Sequence, residues 1–353
     1  MLELGHARLR RRTAGERVPE PLALGLERGP LRLRQALQFS LNIPAIKAAA
    51  INGPDHVFEV AKRFGIQFQK PQNTAGVSIA IGTLELHPID LLGAYGTLAN
   101  GGTLVPRTTI LSVTDSNGNQ IWPTPETKPA ARQVVSPQAA YVITDILAGN
   151  TNPRQNPYWG RAQIIDGSRR RPAALKTGTT NDTKDLAAFG YVAPPEDPNA
   201  PALAVGVWNG NSDNTPVSTA DDPLFSIDVT TYVWAGFLKD ATKGWAVNDF
   251  KLPDSLVEQA VDPWTGLAAA GGKKVNAWFR PGTEPAENLP PEERCGTAVL
   301  QTAGFESDHP AWMAANDGWM KRAAKGTGRR GGPERTATSY FYNFSFNPYG
   351  KSW

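Results

Sequence analysis

From Pro30 onward, apolar residues recur at helical spacing. Leu33, Ala36 and Leu37 share one face and predict a helix that leads into Ser40-Leu41-Asn42. Pro44 opens a second helix through Ile46 to Ile51, closed by Asn52-Gly53. A third carries Val57, Val60, Ala61 and Phe64 on one face, between Pro54 and Gly65. A fourth runs from Pro88 through Leu91, Leu92, Tyr95 and Leu98 to Asn100-Gly101-Gly102, a helix-stop signal. The period then drops to two. Thr108 to Val113 alternates with β-branched residues, and Ser116-Asn117-Gly118-Asn119 turns the chain back toward Ile121-Trp122 as a hairpin. Ser136-Pro137 heads another helix, with Ala140, Ile143, Ile146 and Leu147 on its apolar side. Residues 150–172 are polar and rich in Arg, Gly and Pro, and read as a loop. Strands follow at Ala173 to Thr177, Asp185 to Val192 and Ala202 to Trp208, and residues 222–246 read as helix. Helices first, then a hairpin and helix, then a run of strands and a closing helix predict an α+β fold, an antiparallel sheet covered by helices.

The two ends of the chain depart from this pattern. Residues 1–28 hold Arg8, Arg10, Arg11, Arg12, Arg17 and Arg28, with Pro19 and Pro21 and no aromatic residue. They read as a basic, disordered or out-of-frame segment. Residues 29–249 form the patterned domain. From 250 to 353, Pro253, Pro263, Pro281, Pro285, Pro290 and Pro291 punctuate short segments, which predicts an irregular Pro/Gly-rich extension. Within it, Tyr340 to Phe346 alternates aromatic with mostly polar residues, as one strand would.

Composition narrows the function classes. The chain has 353 residues, 40% hydrophobic and 20% charged, and a net charge of +3, so no nucleic-acid partner is expected. Cys295 is the single cysteine, which excludes an internal disulfide. His6, His56, His87 and His309 show no metal-ligand spacing, so neither a metal nor a cofactor is expected. No apolar run is long enough to span a bilayer, and the first residues lack the apolar core of a signal peptide.

The chemistry concentrates at Lys176-Thr177-Gly178-Thr179 and at Ser40-Leu41-Asn42. A serine acyl-transfer site needs a nucleophile, a base, an oxyanion hole and a carboxylate anchor. On a strand, Gly178 lets substrate lie against the edge, and the N–H of Thr179 can face an oxyanion. Thr177 and Thr179 share a face at period two and can hold a carboxylate beside the Lys176 ammonium. Ser40 can relay a proton, and Asn42 can both donate to and accept from a peptide bond. Read singly, Ser40 is an N-cap of the following helix and Lys176 a solvated strand lysine.

The flanking text adds context. Gly29 to Leu37 with Ser40 to Ala45, Ile81-Gly82-Thr83 with Tyr95 to Gly102, Lys176 to Asp182, Val205 to Asn211 with Asp213 to Pro216, and Pro281 to Pro285 follow one another in order. Together they closely resemble the transpeptidase domain of class A penicillin-binding proteins, over about residues 29–285. The resemblance implies a penicillin-binding transpeptidase or serine β-lactamase-like fold, with a helical lobe and a five-stranded sheet that enclose one cleft. It implies catalytic roles for Ser40, as proton relay, for Asn42, as a substrate-amide ligand, and for Lys176, as electrostatic partner of Ser40. It assigns Thr177, Gly178 and Thr179 to substrate binding. Peptidoglycan stem peptides and β-lactams are the implied partners, and the extracytoplasmic face of the bacterial membrane is the implied location.

One family mark is missing. The family's nucleophile lies in Ser-x-x-Lys, and no serine of this chain is followed three residues later by lysine. The expectation is therefore an N-terminally truncated transpeptidase domain, inactive alone. A non-catalytic module that binds peptidoglycan peptides or β-lactams is the second reading, and a serine β-lactamase relative the third.

Overall fold

The structure, a computed structural model, describes residues 32–285 apart from 72–73, 125–126, 128–129, 157–161, 198–199, 220–223, 262–265, 267 and 270–273. The basic residues 1–28, Cys295 and the Tyr340 to Phe346 stretch lie outside the described residues.

The helices form where the apolar spacing places them. They are α1 (Leu33–Gln38), α2 (Asn42–Asn52), α3 (Pro54–Arg63), α4 (Pro88–Ala99), α5 (Pro137–Ala148) and α6 (Thr230–Ala241). Local chemistry sets their ends. Pro54, Pro88 and Pro137 each open a helix, where a missing N–H costs nothing. Ser136 caps α5 by accepting the N–H of Ala139 at 3.3 Å.

Short pairs come first among the strands: β1 (Thr103–Leu104), β2 (Val113–Thr114), β3 (Gln120–Trp122), β4 (Arg132–Gln133), β5 (Ile164–Asp166) and β6 (Arg169–Arg171). The long ones follow: β7 (Ala173–Thr179), β8 (Asp185–Val192) and β9 (Ala204–Gly210), and then the hairpin of β10 (Val257–Val261) and β11 (Val275–Phe279). Among the described residues the main sheet has three antiparallel strands, in the order β7-β8-β9, against the five that the resemblance implied.

Strand alternation sends successive β7 side chains to opposite layers. Ala173 and Leu175 join Ala188, Val192 and the fully buried Trp234 and Leu238 of α6. Ala174 faces the other way, into a cluster with Tyr191 and Leu147 that Leu37 of α1 and Tyr95 and Leu98 of α4 help to cover. The sheet is thus sandwiched by α6 on one side and by α1, α4 and α5 on the other. Gly190 of β8 is required by this packing: a Cβ there would lie 2.0 Å from the Ala174 carbonyl oxygen and 2.7 Å from the Trp234 ring.

Four expectations differ from what folds. Only Val113–Thr114 of the alternating Thr108 to Val113 stretch becomes strand. Thr108 Oγ1 instead donates to Ile110 O and accepts its N–H, at 2.7 and 3.2 Å, a local turn that competes with a ladder. The loop read over 150–172 contains the β5–β6 hairpin, turned by Gly167-Ser168 with Gly167 at φ +60°. The helix read over 222–246 is confined to α6. A turn precedes it, in which Asp228 Oδ2 accepts the Phe225 N–H, and Gly244 at φ +81° follows it. The region past residue 250 is not all irregular: β10 and β11 pair in register, and Trp278 meets Tyr141 of α5 edge to face.

Candidate active site

Ser40 sits at a helix end of unusual composition. The Ser40 N–H donates to Leu37 O at 3.1 Å and the Leu41 N–H to Ala36 O at 3.0 Å. This pair of bonds stops α1 with Ser40 in the left-handed region, at φ +55°. Glycine usually fills such a position, and an L-residue there costs about 1–2 kcal/mol. Leu41, not Ser40, is the N-cap of α2. The fold therefore holds a serine in a strained turn and aims its hydroxyl elsewhere.

The target is Lys176. Its Nζ donates to Ser40 Oγ at 2.6 Å and to the neighbouring Thr177 O at 2.8 Å. Lys176 points away from the α6 layer, toward the helices on the opposite face of β7. Burial pushes its ammonium down to about 8. A half-buried lysine with a depressed value, held against a serine hydroxyl, is suited to pass a proton to and from that hydroxyl.

The ladder between β7 and β8 runs through the even-numbered residues of β7, since the Ala193 N–H donates to Pro172 O and the Thr180 N–H to Asp185 O. The odd-numbered backbone groups therefore point to the other edge. Near the start of the strand, two side chains that follow α5 cover that edge. Thr151 Oγ1 donates to Ala173 O at 2.7 Å, and Asn150 Nδ2 to Leu175 O at 2.8 Å. Asn150 is itself oriented by Asn156 Nδ2 at 3.0 Å. Past Leu175 these two side chains give way to Lys176 Nζ, which holds the Thr177 carbonyl. No described strand pairs with the edge at Thr177 and Thr179.

A shallow cleft opens at this point, lined by Gln38, Asn150, Leu175, Lys176, Thr177 and Ile227. The Thr177 hydroxyl makes no hydrogen bond among the described residues. Gly178 is exposed, and a Cβ on it would meet nothing within 4 Å, so the fold leaves open space there. Thr179 is exposed as a residue, yet its hydroxyl lies 2.8 Å from Ser226 Oγ. Asn42 begins α2, exposed and without a side-chain hydrogen bond among the described residues.

The structure thus joins Ser40 directly to Lys176, places Thr177 beside them and leaves Asn42 without a bonded partner. Sequence reasoning missed Gln38, Asn150, Thr151 and Ser226. The Asn150-Thr151 pair directly after Gly149 at the end of α5 was the one available signal, since polar residues there must find partners. Ser226 gave none. Among the described residues no cluster of His, Cys, Asp or Glu could hold a metal ion, and no helix is long and apolar enough to cross a membrane.

A helix-covered antiparallel sheet thus carries, on its edge strand, a lysine bonded to a serine between two helices. The family model described as the penicillin-binding protein transpeptidase domain matches residues 26–209, more than half of the chain. The chain belongs to this family. Penicillin-binding protein 2D of Bacillus subtilis is 32% identical over 260 residues, covering 73% of this chain and 35% of that protein. Penicillin-binding protein 1A of Aquifex aeolicus is 29% identical over 266 residues, covering 73% of this chain and 32% of that protein. The chain spans about a third of the length of these curated relatives. The fold is shared with the crystal structure of penicillin-binding protein 1A from Haemophilus influenzae, at a TM-score of 0.59 and 23% identity, over 74% of this chain and 41% of that one.

Proposed function

We propose that the cleft between Ser40 and the Lys176 to Thr179 stretch takes the acyl-D-Ala-D-Ala end of a peptidoglycan stem peptide, and β-lactams in its place. It serves a D,D-transpeptidase domain in cell-wall cross-linking, at the extracytoplasmic face of the bacterial membrane. The observation that carries this reading is the 2.6 Å contact between Lys176 Nζ and Ser40 Oγ, across two segments far apart in sequence.

An extended peptide laid along this edge of β7 pairs with the outward N–H of Thr177 and the outward backbone groups of Thr179, while Lys176 Nζ keeps the Thr177 carbonyl. Its terminal carboxylate meets the Thr177 hydroxyl near the Lys176 charge, and charge-assisted hydrogen bonds of this kind contribute about 1.5–3 kcal/mol each. The Thr179 N–H faces the position of a developing oxyanion, and Asn42 is exposed and unengaged for a substrate amide. Ser40, with Lys176 behind it, moves the proton of the leaving or attacking amine. Acyl transfer also needs a serine nucleophile with its paired lysine, and the Ser-x-x-Lys that would carry them is absent from this sequence. The chain therefore supplies the binding and proton-relay side of the reaction.

Two measurements test this. Incubation with a fluorescent penicillin, followed by a denaturing gel, is expected to leave no labelled band. A stable band abolished by Ser40→Ala would make Ser40 the nucleophile and overturn its role as relay. Ligand-observed NMR with an acyl-D-Ala-D-Ala peptide is expected to show weak, reversible binding that Lys176→Met combined with Thr177→Val reduces about tenfold or more, the loss of one charge-assisted bond. Binding unchanged in that double variant would place the ligand elsewhere.

A further inference from the structure

Arg34 and Gln38 lie one helical turn apart on α1, so both side chains leave the helix on one face. Both reach the end of α5. Arg34 Nη1 donates to Asp145 O at 3.3 Å, and its Nη2 pairs with the Asp145 carboxylate. Gln38 is buried, and its Nε2 donates to Ile146 O at 2.9 Å. Asp145 and Ile146 belong to the last turn of α5, whose carbonyls a helix cannot pair in full by itself. A carbonyl only accepts, so the nitrogen end of the Gln38 amide faces Ile146 and the orientation of the side chain is fixed.

Gly149 makes room for this contact. Its backbone, at φ −60° and ψ −27°, suits any residue, so conformation does not call for glycine there. Space does: a Cβ at Gly149 would lie 2.1 Å from Gln38 Nε2 and 2.8 Å from Gln155 Oε1. The next two residues hold the other half of the site. Asn150 and Thr151 bind the carbonyls of Leu175 and Ala173, just before Lys176. The stretch from Asp145 to Thr151 thus carries α1 through Arg34 and Gln38, and β7 through Asn150 and Thr151. Ser40 follows the first of these elements, and Lys176 lies on the second.

We infer that Gln38 is a positioning residue for Ser40: it ties the serine turn to the same end of α5 that fixes β7, and so sets the Ser40 hydroxyl against Lys176. Ser40 is two residues from Gln38. Two backbone bonds, from the Ser40 N–H to Leu37 O and from the Leu41 N–H to Ala36 O, carry the constraint across. A serine in the left-handed region stays there only where its surroundings hold it, and the Gln38 tether supplies that hold. The value of this placement for proton relay rests on the proposed function; the placement itself does not.

The test reads the contact between Ser40 and Lys176 in the full chain, without ligand. NMR follows the Ser40 amide and the Lys176 Cε resonance as pH passes the Lys176 midpoint, near 8. In wild type both are expected to shift with one midpoint. Gln38→Met keeps the bulk and removes the donor, and is expected to reduce the Ser40 shift about twofold or more. Ser136→Ala removes the cap at the other end of α5. It is expected to lower the melting temperature by about 2–4 °C, as Gln38→Met does, with the Ser40 shift unchanged. An unchanged Ser40 shift in Gln38→Met, or an equal loss in Ser136→Ala, overturns the positioning role. Gln38→Asn, one methylene too short for Ile146 O, gives the same reading where Gln38→Met does not fold. Melting then tests the fit at Gly149. Gly149→Ala is expected to lower the melting temperature in wild type, and by less than about half as much in the Gln38→Ala background, where the colliding amide is gone. Equal losses in the two backgrounds overturn the assignment of Gly149 to Gln38. None of these readings uses a ligand, so failure to bind an acyl-D-Ala-D-Ala peptide counts against the proposed function alone.

Discussion

Along β7, Ala173 to Leu175 and Lys176 to Thr179 share one strand and one ladder partner, yet their outer edges meet different surroundings. The first three residues are almost fully buried, at 0–2% exposure. Their outward carbonyls at Ala173 and Leu175 are taken by Thr151 and Asn150. The last four are half-buried to exposed, and no described strand covers their edge. A buried backbone carbonyl must be paired, whereas an edge at the rim can be left to a ligand. Stability and recognition are thus assigned to adjacent halves of one strand, and the boundary is the point where Asn150 stops.

Substitutions on the two halves should separate accordingly. Leu175→Ala is expected to destabilise by about 2–5 kcal/mol through a cavity under Trp234 and Leu238. Chemical denaturation reads this, and a loss below about 1 kcal/mol would mean that the buried half is not the anchor. Asn150→Ala leaves the Leu175 carbonyl unpaired and should cost about 1–3 kcal/mol. It should also raise amide exchange along the start of β7, and a neutral result would move the boundary.

At the serine turn, Ser40→Gly is expected to be about 1 kcal/mol more stable than Ser40→Ala, since only glycine relieves the left-handed backbone. Equal stability of the two would remove strain from the description of the site. For Lys176, burial holds the folded value at about 8, against about 10.4 unfolded. Between these values the unfolded chain binds more protons, so the lysine's penalty is fully present below about pH 8 and fades as pH rises toward 10.4. Wild type should gain stability on Lys176→Met over that window, by a modest amount because water screens the partly open site. A flat difference would show the ammonium to be solvated. The smallest effect is expected at Gly178→Ala, within about 0.5 kcal/mol of wild type, because its Cβ meets open space. The same change at Gly190 collides with Ala174 O and Trp234 and should cost about 1–3 kcal/mol. If Gly178 proved as intolerant as Gly190, its openness would be a matter of packing and not of access.

Much of this was legible in the chain. Helical spacing marked the apolar faces of α1 to α5, proline and glycine marked their ends, and the Lys176 to Thr179 motif announced the edge strand. Gly167-Ser168 was a readable hairpin signal, obscured by the arginines around it. The Thr108 to Val113 stretch misled because alternation alone does not reveal that Thr108 bonds its own turn. Ser226 could not be found, because nothing within its own neighbourhood distinguishes it. Its contacts with Gly178 and Thr179 form only once α6 packs against the end of β7.

The sequence by itself determined the order of the main helices and long strands, the family and the residue types at the site, because period, capping and motif are local properties of the chain. The tertiary structure alone decided which of those residues meet. Lys176 reaches Ser40 because strand alternation turns its side chain toward the helices that carry the serine. Thr177 and Thr179 are chemically alike and two residues apart, yet only Thr179 meets Ser226. A hydroxyl bonds whichever group the fold brings within reach, and that is fixed by packing between segments that the sequence holds far apart.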